Sequence, residues 1–343
     1  MPAFFFTHNY PPRRARSELI SHLDAATNVA DIKLCADIIQ QVWADAPPSR
    51  RPPLFAPSTD ACSSPQQLQV MDNITGYPGV AGFTFHGYPG QGGLSPPLLD
   101  LLTNATWLRT GIMTGSAAQE CLGAWGAGPR ARGLQLLLTE SSSSWAWDLP
   151  PPAQDTFLHT FFTLAELGQY AATGVGFVAR WAFSENSPFA TVRYNSSEAR
   201  FDFAADVWAI LAHKAAVGSA SLAAAGDDES VLVYAHCGAG GGGAVAVTAV
   251  NPSLAAVPLA LMDAATGAPL PQAPRLEWVL TGELGTHFPT LNGGAEGLRL
   301  GEDGSLPPVW APLRVPAGGA DVVLPPQSSS VFLLQGAGLP QCA

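Results

Sequence analysis

The sequence has little charge and almost no lysine. Of 343 residues only 13% are charged, and lysine occurs only at Lys33 and Lys214. Sixteen Lys+Arg against 27 Asp+Glu leave a net charge of −11, and the one dense basic run is Arg13, Arg14 and Arg16. No nucleic acid, heparin-like polyanion or anionic lipid surface is expected as a partner, because such partners reward clusters of Lys and Arg. Apolar runs fall far short of the ~20 residues that a membrane-spanning helix needs. No transmembrane segment is expected, and peripheral membrane association stays open. The first residues, MPAFFFTHNYPPRRAR, carry too short an apolar run for a signal peptide. CxxC is absent, which removes zinc knuckles and thioredoxin-type redox sites. GxSxG, HExxH and GxxxxGK[ST] are absent too, which removes the usual serine-esterase, zinc-protease and P-loop readings. Neither metal nor cofactor is expected.

Hydrophobic residues make up 47% of the chain, against the low hydrophobicity and high charge of disordered proteins. The length suits about two domains of ~100–200 residues each. The 35 Gly, 31 Pro and Ala-rich stretches such as Ser221–Ala225 reflect genomic base bias as much as structure. Three of the eight asparagines, Asn73, Asn104 and Asn195, sit in glycosylation sequons and favour a secretory route. The five cysteines, Cys35, Cys62, Cys121, Cys237 and Cys342, are odd in number and widely spaced, so they do not by themselves decide the redox compartment.

Apolar spacing predicts helices over 18–45, 65–75, 96–108, 116–122, 155–172 and 202–217. Between them lie strand-like segments: one after the break at 50–57, then Val80–His86, Leu134–Leu138 and Gly176–Phe183. Alternation of this kind argues for parallel α/β layering through the first ~215 residues. From about residue 230 short strands at 231–236, 244–250, 277–280, 298–300 and 330–334 are divided by Gly/Pro turns, the spacing of an antiparallel β-sandwich. Gly238–Gly243 reads as a flexible hairpin between two of them. The fold class expected is therefore α/β plus all-β, with domains at 1–217 and 218–343.

In parallel α/β barrels the catalytic side chains project from the C-terminal ends of strands. Leu134–Leu138 runs into Thr139, Glu140 and then SerSerSerSerTrp (141–145); Phe83–Phe85 runs into His86, Gly87 and Tyr88. A carboxylate past an apolar strand can attack or stabilise an anomeric carbon, and Trp145 and Trp147 offer faces for a sugar ring. Taken as residues alone, Glu140 equally suits a helix cap or a solvated loop. His86 suits a satisfied core histidine better than a functional one, and Glu18 suits dipole complementation at a helix start. The GxGxxA string at 174–179 precedes a strand instead of following one, against dinucleotide binding.

In their order and spacing these segments resemble glycoside hydrolase family 79, the heparanase-like endo-β-glucuronidases, from about Ser17 to Cys342. LeuThrGluSerSerSerSerTrp (138–145) resembles the nucleophile motif, and PheThrPheHisGlyTyr (83–88) the Thr-Trp-His-His-Tyr strand. ArgTrpAlaPhe (180–183) with AspPheAlaAlaAspValTrp (202–208) resembles the Arg-containing strand and the following helix; ValTyrAlaHisCys (233–237), ThrLeuAsnGly (290–293) and GlySerLeuProPro (304–308) keep the family's order in the sandwich.

The resemblance implies the C-terminal part of a (β/α)8 TIM barrel followed by an antiparallel β-sandwich, and a retaining mechanism. Glu140 matches the nucleophile, and Glu18 the acid/base carboxyl, with Ser17 where the family has Asn. His86, Tyr88, Trp145 and Arg180 become substrate-contacting or nucleophile-orienting residues. The family's tyrosine after the Arg strand is replaced within GluAsnSerProPhe (185–189). Cys237 and Cys342 match the sandwich disulfide, worth roughly 4–5 kcal/mol in the chain-entropy model; the other three cysteines have no implied partner. The implied partner is a glucuronic-acid-containing glycan or proteoglycan of low sulfation, such as one of a cell wall, met by a monomer outside the cell or in an endomembrane lumen. The chain begins where the fourth barrel strand should end. A truncated gene product is expected on that ground, with exposed strand edges and apolar helix faces. The alternative functions are a catalytically inactive carbohydrate-binding or scaffold protein left by loss of the N-terminal barrel half, and a cytosolic fragment with no glycan role.

Overall fold

A computed structural model of the chain describes all residues except 1–4, 7–23, 59–61, 63, 91–96, 116–117, 145–153, 184–188, 264–265, 268, 271–272 and 319–320. It divides into two compact units. One comprises Met1–Tyr88, Met113–Ser141 and Thr173–Arg180; the other comprises Pro89–Ile112, Ser142–Ala172 and Trp181–Ala343.

The first unit is built on a parallel sheet of five strands in chain order: β1 (Phe5–Phe6), β2 (Leu54–Phe55), β3 (Val80–Gly87), β4 (Gln135–Ser141) and β5 (Phe177–Arg180). Parallel neighbours need crossovers, and in chain order every crossover advances the sheet by one strand, as in a barrel segment. The crossover segments hold α1 (Ala25–Val42), α2 (Pro65–Ile74), α3 (Leu98–Leu102), α4 (Ala105–Thr114) and α5 (Ala118–Gly126). Of these, α1, α2 and α5 belong to the first unit.

Local chemistry sets the helix starts. Asp24 caps α1 by accepting the Thr27 N–H at 2.7 Å, and Ser64 caps α2 by accepting that of Gln67 at 3.2 Å, with Pro65 in the first turn. Phe83, Phe85, Leu136 and Leu138 are fully buried. On the opposite face Gly82 leaves room for its neighbours, since a Cβ there would lie 2.6 Å from Leu137 Cδ1 and 2.8 Å from Phe55 Cδ1. Cys62 and Cys121, for which the sequence implied no partner, form a disulfide across 59 residues, worth about 4 kcal/mol in the chain-entropy model.

The second unit holds α3, most of α4, α6 (His159–Thr173) and α7 (Ala205–Ala216), the hairpin β6 (Val192–Asn195)–β7 (Arg200–Phe203), and an antiparallel sheet. That sheet runs in the order β13 (Thr290–Leu291), β12 (Arg275–Thr281), β16 (Ser328–Leu334), β10 (Val245–Asn251), β9 (Leu232–Gly238) and β8 (Val217–Leu222), with β14 (Leu313–Val315) also on β12. On one face Val245, Val247, Ala249, Val279, Phe332 and Leu334 pack with Val257 and Leu259 of β11 (Val257–Leu259) and Val322 and Leu324 of β15 (Val322–Leu324). Helices cover the other face. A Cβ at Gly168 of α6 would lie 2.2–2.6 Å from ring atoms of Tyr234, and the ring of His213 on α7 stands edge-on to that of His236 at 5.6 Å. Double cover explains why β10 and β16 are buried along their whole length.

The disulfide Cys237–Cys342 forms, with Cα atoms 5.1 Å apart. Two disulfides indicate an oxidising compartment, and among the described residues no helix is long and apolar enough to cross a membrane. Gly240–Gly243 connect β9 to β10 with positive φ throughout, from 66° to 99°, a conformation that favours glycine.

Three sequence expectations are corrected. Residues 298–300 are not a strand: Leu298 and Leu300 anchor an irregular segment, with the Leu298 N–H on the Pro289 carbonyl at 2.8 Å. The segment 96–108 contains two helices, with α4 capped by Asn104 through the Trp107 N–H at 3.0 Å. Residues 202–203 belong to a strand, since Arg193 and Asp202, and Tyr194 and Phe201, pair across the β6–β7 hairpin before α7 begins.

The buried histidines make stability depend on pH. Burial, with the neighbouring His236, pushes the pKa of His213 down to about 4, and burial lowers that of His236 as well. An unfolded histidine takes up its proton below about pH 6.5, where the folded state still excludes it. Stability is therefore full above that pH and falls as the pH drops towards 4. His213 alone accounts for about 3 kcal/mol at the acid end. Urea unfolding at pH 7 and pH 4.5 should show this loss in the wild type and a smaller loss in His213→Leu; equal losses would disprove the assignment.

Candidate active site

The ends of β3 and β4 bring three predicted residues together. Phe83, Thr84 and Phe85 pair in register with Leu136, Leu137 and Leu138, but His86 then pairs with Glu140, skipping Thr139. β4 carries the same extra residue against β5, where Leu138 pairs with Val178 and Ser141 with Arg180. The bulge therefore belongs to β4. Bulges re-aim side chains, and this one sets Glu140 beside His86.

Both oxygens of the Glu140 carboxylate are engaged. The Tyr88 hydroxyl donates to Oε1 at 2.5 Å, and His86 Nδ1 lies 3.4 Å from Oε2. His86 is 3% exposed, and its Nε2 lies 2.7 Å from the Ser58 hydroxyl. An ionised carboxylate only accepts hydrogen bonds, so Nδ1 carries a proton, and in the neutral ring Nε2 then accepts from Ser58. The Thr84 hydroxyl donates to the Pro57 carbonyl, fixing the residue next to Ser58. The resulting chain, Ser58 to His86 to Glu140 with Tyr88 on the second oxygen, orients a carboxylate whose side chain keeps 13% exposure. Such a carboxylate can act as a nucleophile or stabilise a developing cation.

Arg180 ends β5 as the register partner of Ser141 and is partly buried. Glu18 and Trp145, with Ser17 and Trp147, lie outside the described residues. Of the sequon asparagines, Asn73 and Asn104 are exposed. Asn195 is partly buried, its Oδ1 accepting from the Ser197 N–H and hydroxyl at 3.1 and 2.7 Å. Ser58 was not foreseen, since a lone serine in a Pro-containing loop carries no spacing signal.

The second unit holds another constellation that sequence reading missed. His159 Nδ1 lies 3.0 Å from Asp206 Oδ2, and the Ser142 hydroxyl lies 3.5 Å from His159 Nε2, all fully buried. Its residue types are those of a serine hydrolase, but its protons are committed elsewhere. The Ser143 N–H donates to Nε2 at 3.3 Å, and the Ser142 hydroxyl donates to Gln154 Oε1 at 3.0 Å. Nε2 therefore has no lone pair to offer Ser142, and the group serves to hold the chain at 142–144. Among the described residues no group of three or more His, Cys, Asp or Glu is arranged to hold a metal ion.

No protein-family profile matches the sequence, and no curated protein matches it by sequence. Solved structures do match by fold. One is a family 51 arabinofuranosidase from Xanthomonas axonopodis pv. citri, at 16% identity and TM-score 0.52, covering 89% of this chain and 63% of that one. A second is a family 44 endoglucanase of Clostridium acetobutylium, at 12% identity and TM-score 0.56, covering 91% and 61%. A third is a 4-O-α-L-rhamnosyl-β-D-glucuronidase from Fusarium oxysporum, at 13% identity and TM-score 0.58, covering 90% and 64%. The chain thus has a glycoside-hydrolase-like fold, a parallel half-barrel sheet with an antiparallel sheet, and spans 61–64% of the length of these structures.

The proton assignment has a direct spectroscopic consequence. Nitrogen-15 NMR of His86 at neutral pH should show Nδ1 protonated and Nε2 unprotonated, and Ser58→Ala should mix the two tautomers. An Nε2-protonated ring in the wild type would refute the hydrogen-bond order.

Proposed function

We propose that the chain is the catalytic part of a retaining glycoside hydrolase, similar to family 79, that cleaves β-glucuronide linkages. The observation that carries this reading is Glu140 at the C-terminal end of β4, held by the Tyr88 hydroxyl and His86 on opposite oxygens. The glycoside-hydrolase-like fold supports it, as does the sequence resemblance around 83–88 and 138–145. The glucuronidase from Fusarium oxysporum among the matching folds is consistent with the substrate class.

In this mechanism Glu140 attacks the anomeric carbon as the glycosidic C–O bond breaks, forming a glycosyl ester. Glu18 donates its proton to the departing oxygen and then takes one from the water that hydrolyses the ester. Retention requires the two carboxyls to lie about 5–5.5 Å apart. The hydrogen bond from Tyr88 keeps the nucleophile's unused lone pairs occupied and its attacking oxygen directed. Arg180 and Trp145 contact the sugar. The preferred glycan is glucuronic-acid-containing and lightly sulfated, since a chain with two lysines and a net charge of −11 suits a dense polyanion poorly. The site of action is secreted or luminal, in keeping with two disulfides.

Labelling tests the reading. The chain, expressed under oxidising conditions and treated with a mechanism-based β-glucuronide inactivator, should carry one adduct on Glu140, absent in Glu140→Gln. A cooperatively folded protein without an adduct would sink it.

Tyr88→Phe should lower kcat/KM for an aryl β-glucuronide about 10–100-fold, the worth of one hydrogen bond to a charged group, while leaving the unfolding midpoint in place. An unchanged kcat/KM would remove Tyr88 from the site.

A further inference from the structure

The β6–β7 hairpin of the second unit turns its charges inward and its outer rings into water. Val192 pairs with Phe203, Arg193 with Asp202, Tyr194 with Phe201 and Asn195 with Arg200. Directly opposed residues share a face, so one face carries Arg193, Asn195, Arg200 and Asp202, and the other is apolar. An antiparallel pair lying on a protein commonly packs its apolar face and solvates its polar one. Here the polar face is held instead. Arg193 pairs with the buried carboxylate of Asp155, while Arg200 reaches the Leu300 carbonyl and, at 3.2 Å, Asp202. At the base of the apolar face Phe203 packs edge-on against the buried Trp208, with ring centres 5.4 Å apart. Further out Tyr194 and Phe201 stand side by side, 59% and 55% exposed, with ring centres 5.1 Å apart. Turning the hairpin over would bury these rings, but it would strip Asp155 of its arginine, which is costly for a buried carboxylate. The ion pairs thus fix the orientation that exposes the rings.

Size and charge select what covers them. An aromatic side chain offers ~150–250 Å², so the exposed halves of two rings amount to roughly 200–250 Å². A stable protein interface takes ~800 Å² from each partner, so this patch suits one or two rings of its own size. The arginines around the hairpin are each set against a carboxylate: Arg193 on Asp155, Arg200 on Asp202 and Arg299 on Glu198. Their charge is spent, which disfavours an anionic ligand. Glu198 and Arg299, paired at 2.8 Å beside the hairpin loop, stay partly exposed and offer acceptors and donors, as does the exposed Tyr194 hydroxyl. A ligand with apolar faces, a rim of hydroxyls and no charge matches these features together. A pyranose whose hydroxyls are all equatorial has that division, because its axial C–H bonds make up both faces.

We propose that Tyr194 and Phe201 form a saccharide-binding platform for uncharged, all-equatorial pyranose residues of a glycan chain. The two rings take the C–H faces of the sugars, and Glu198, Arg299 and the Tyr194 hydroxyl bond the hydroxyl rim. The platform belongs to the second unit and Glu140 to the first. Binding at the platform does not require Glu140 to be catalytic, so this inference stands apart from the glycosidase reading.

Calorimetric titration of the full chain with cellohexaose, a neutral β-1,4-glucose hexamer, tests it. The wild type should bind saturably. Tyr194→Leu with Phe201→Leu keeps apolar cover on the hairpin but removes the ring faces, and should weaken binding about ten-fold or more. Tyr194→Phe with Phe201→Tyr keeps two rings and should retain most of the affinity. Glu140→Gln should bind as the wild type does, which separates the platform from the Glu140 site. No binding by the wild type, equal binding by the leucine pair, or binding lost in Glu140→Gln would overturn the proposal. So would sedimentation of the wild type as a dimer that Tyr194→Lys with Phe201→Lys dissociates, since the rings would then be an interface between copies.

Discussion

One extra residue in β4 governs what the site carboxylate can meet. Side chains alternate between the faces of a strand, and in the regular part of the ladder Leu136 and Leu138 share a face with Phe83 and Phe85. Without the bulge Glu140 would continue that face, where both phenylalanines and both leucines are completely buried. An ionised carboxylate there would lose its hydration with no partner to replace it. The shift past Thr139 turns Glu140 to the face of Thr84 and His86. Desolvation is then offset by donors, and the charge is retained in a fixed direction. Because β3 and β5 both register the same offset, the device belongs to β4 and survives whichever neighbour is considered.

The parts legible in the sequence were those with a pattern longer than the feature itself. Val80–His86 and Leu134–Leu138 announced strands by apolar density, and small polar residues past each one marked the strand ends. Most helices showed their period. β1 and β2 have two residues each and are recognisable only by their neighbours in the sheet. The β6–β7 hairpin does alternate, with Val192, Tyr194, Phe201 and Phe203 on one face and Arg193, Asn195, Arg200 and Asp202 on the other, but at four residues per strand the pattern is too short to stand out in the sequence. The bulge was equally invisible. Thr139 looks like any strand residue until two partners are aligned with it. Cys62 and Cys121 lie on different crossovers, and only the folded first unit brings their Cα atoms within 4.9 Å.

The antiparallel sheet shows the cost of covering both faces. Its central strands β10 and β16 place Thr248, Ser329 and Ser330 in the interior along with their aliphatic residues. One such hydroxyl is matched across the helix–sheet interface, where Thr160 of α6 and Ser329 of β16 share a hydrogen bond of 2.7 Å. The His213–His236 contact solves the same problem differently, by holding two imidazoles neutral between helix and strand. Close approach is possible at one point only because Gly168 has no Cβ to meet Tyr234. The cystine at Cys237 then ties β9 to the end of the chain, so that the strand carrying Tyr234 and His236 is constrained at both its surface and its end.

His86 and His159 both have an acidic neighbour, and their difference lies in where the second nitrogen is spent. His159 donates from Nδ1 to Asp206, and its Nε2 receives a backbone N–H, so both nitrogens serve the fold. His86 donates from Nδ1 towards Glu140, and its Nε2 receives a side-chain hydroxyl. A backbone donor cannot be withdrawn without moving the chain, whereas a hydroxyl can rotate. The Glu140 side chain retains 13% exposure and adjustable protons, while the Asp206 group retains neither exposure nor freedom. Residue types alone rank the buried Ser–His–Asp set as the stronger catalytic candidate. Counting donors and acceptors reverses that order, and it does so before any likeness of fold is considered.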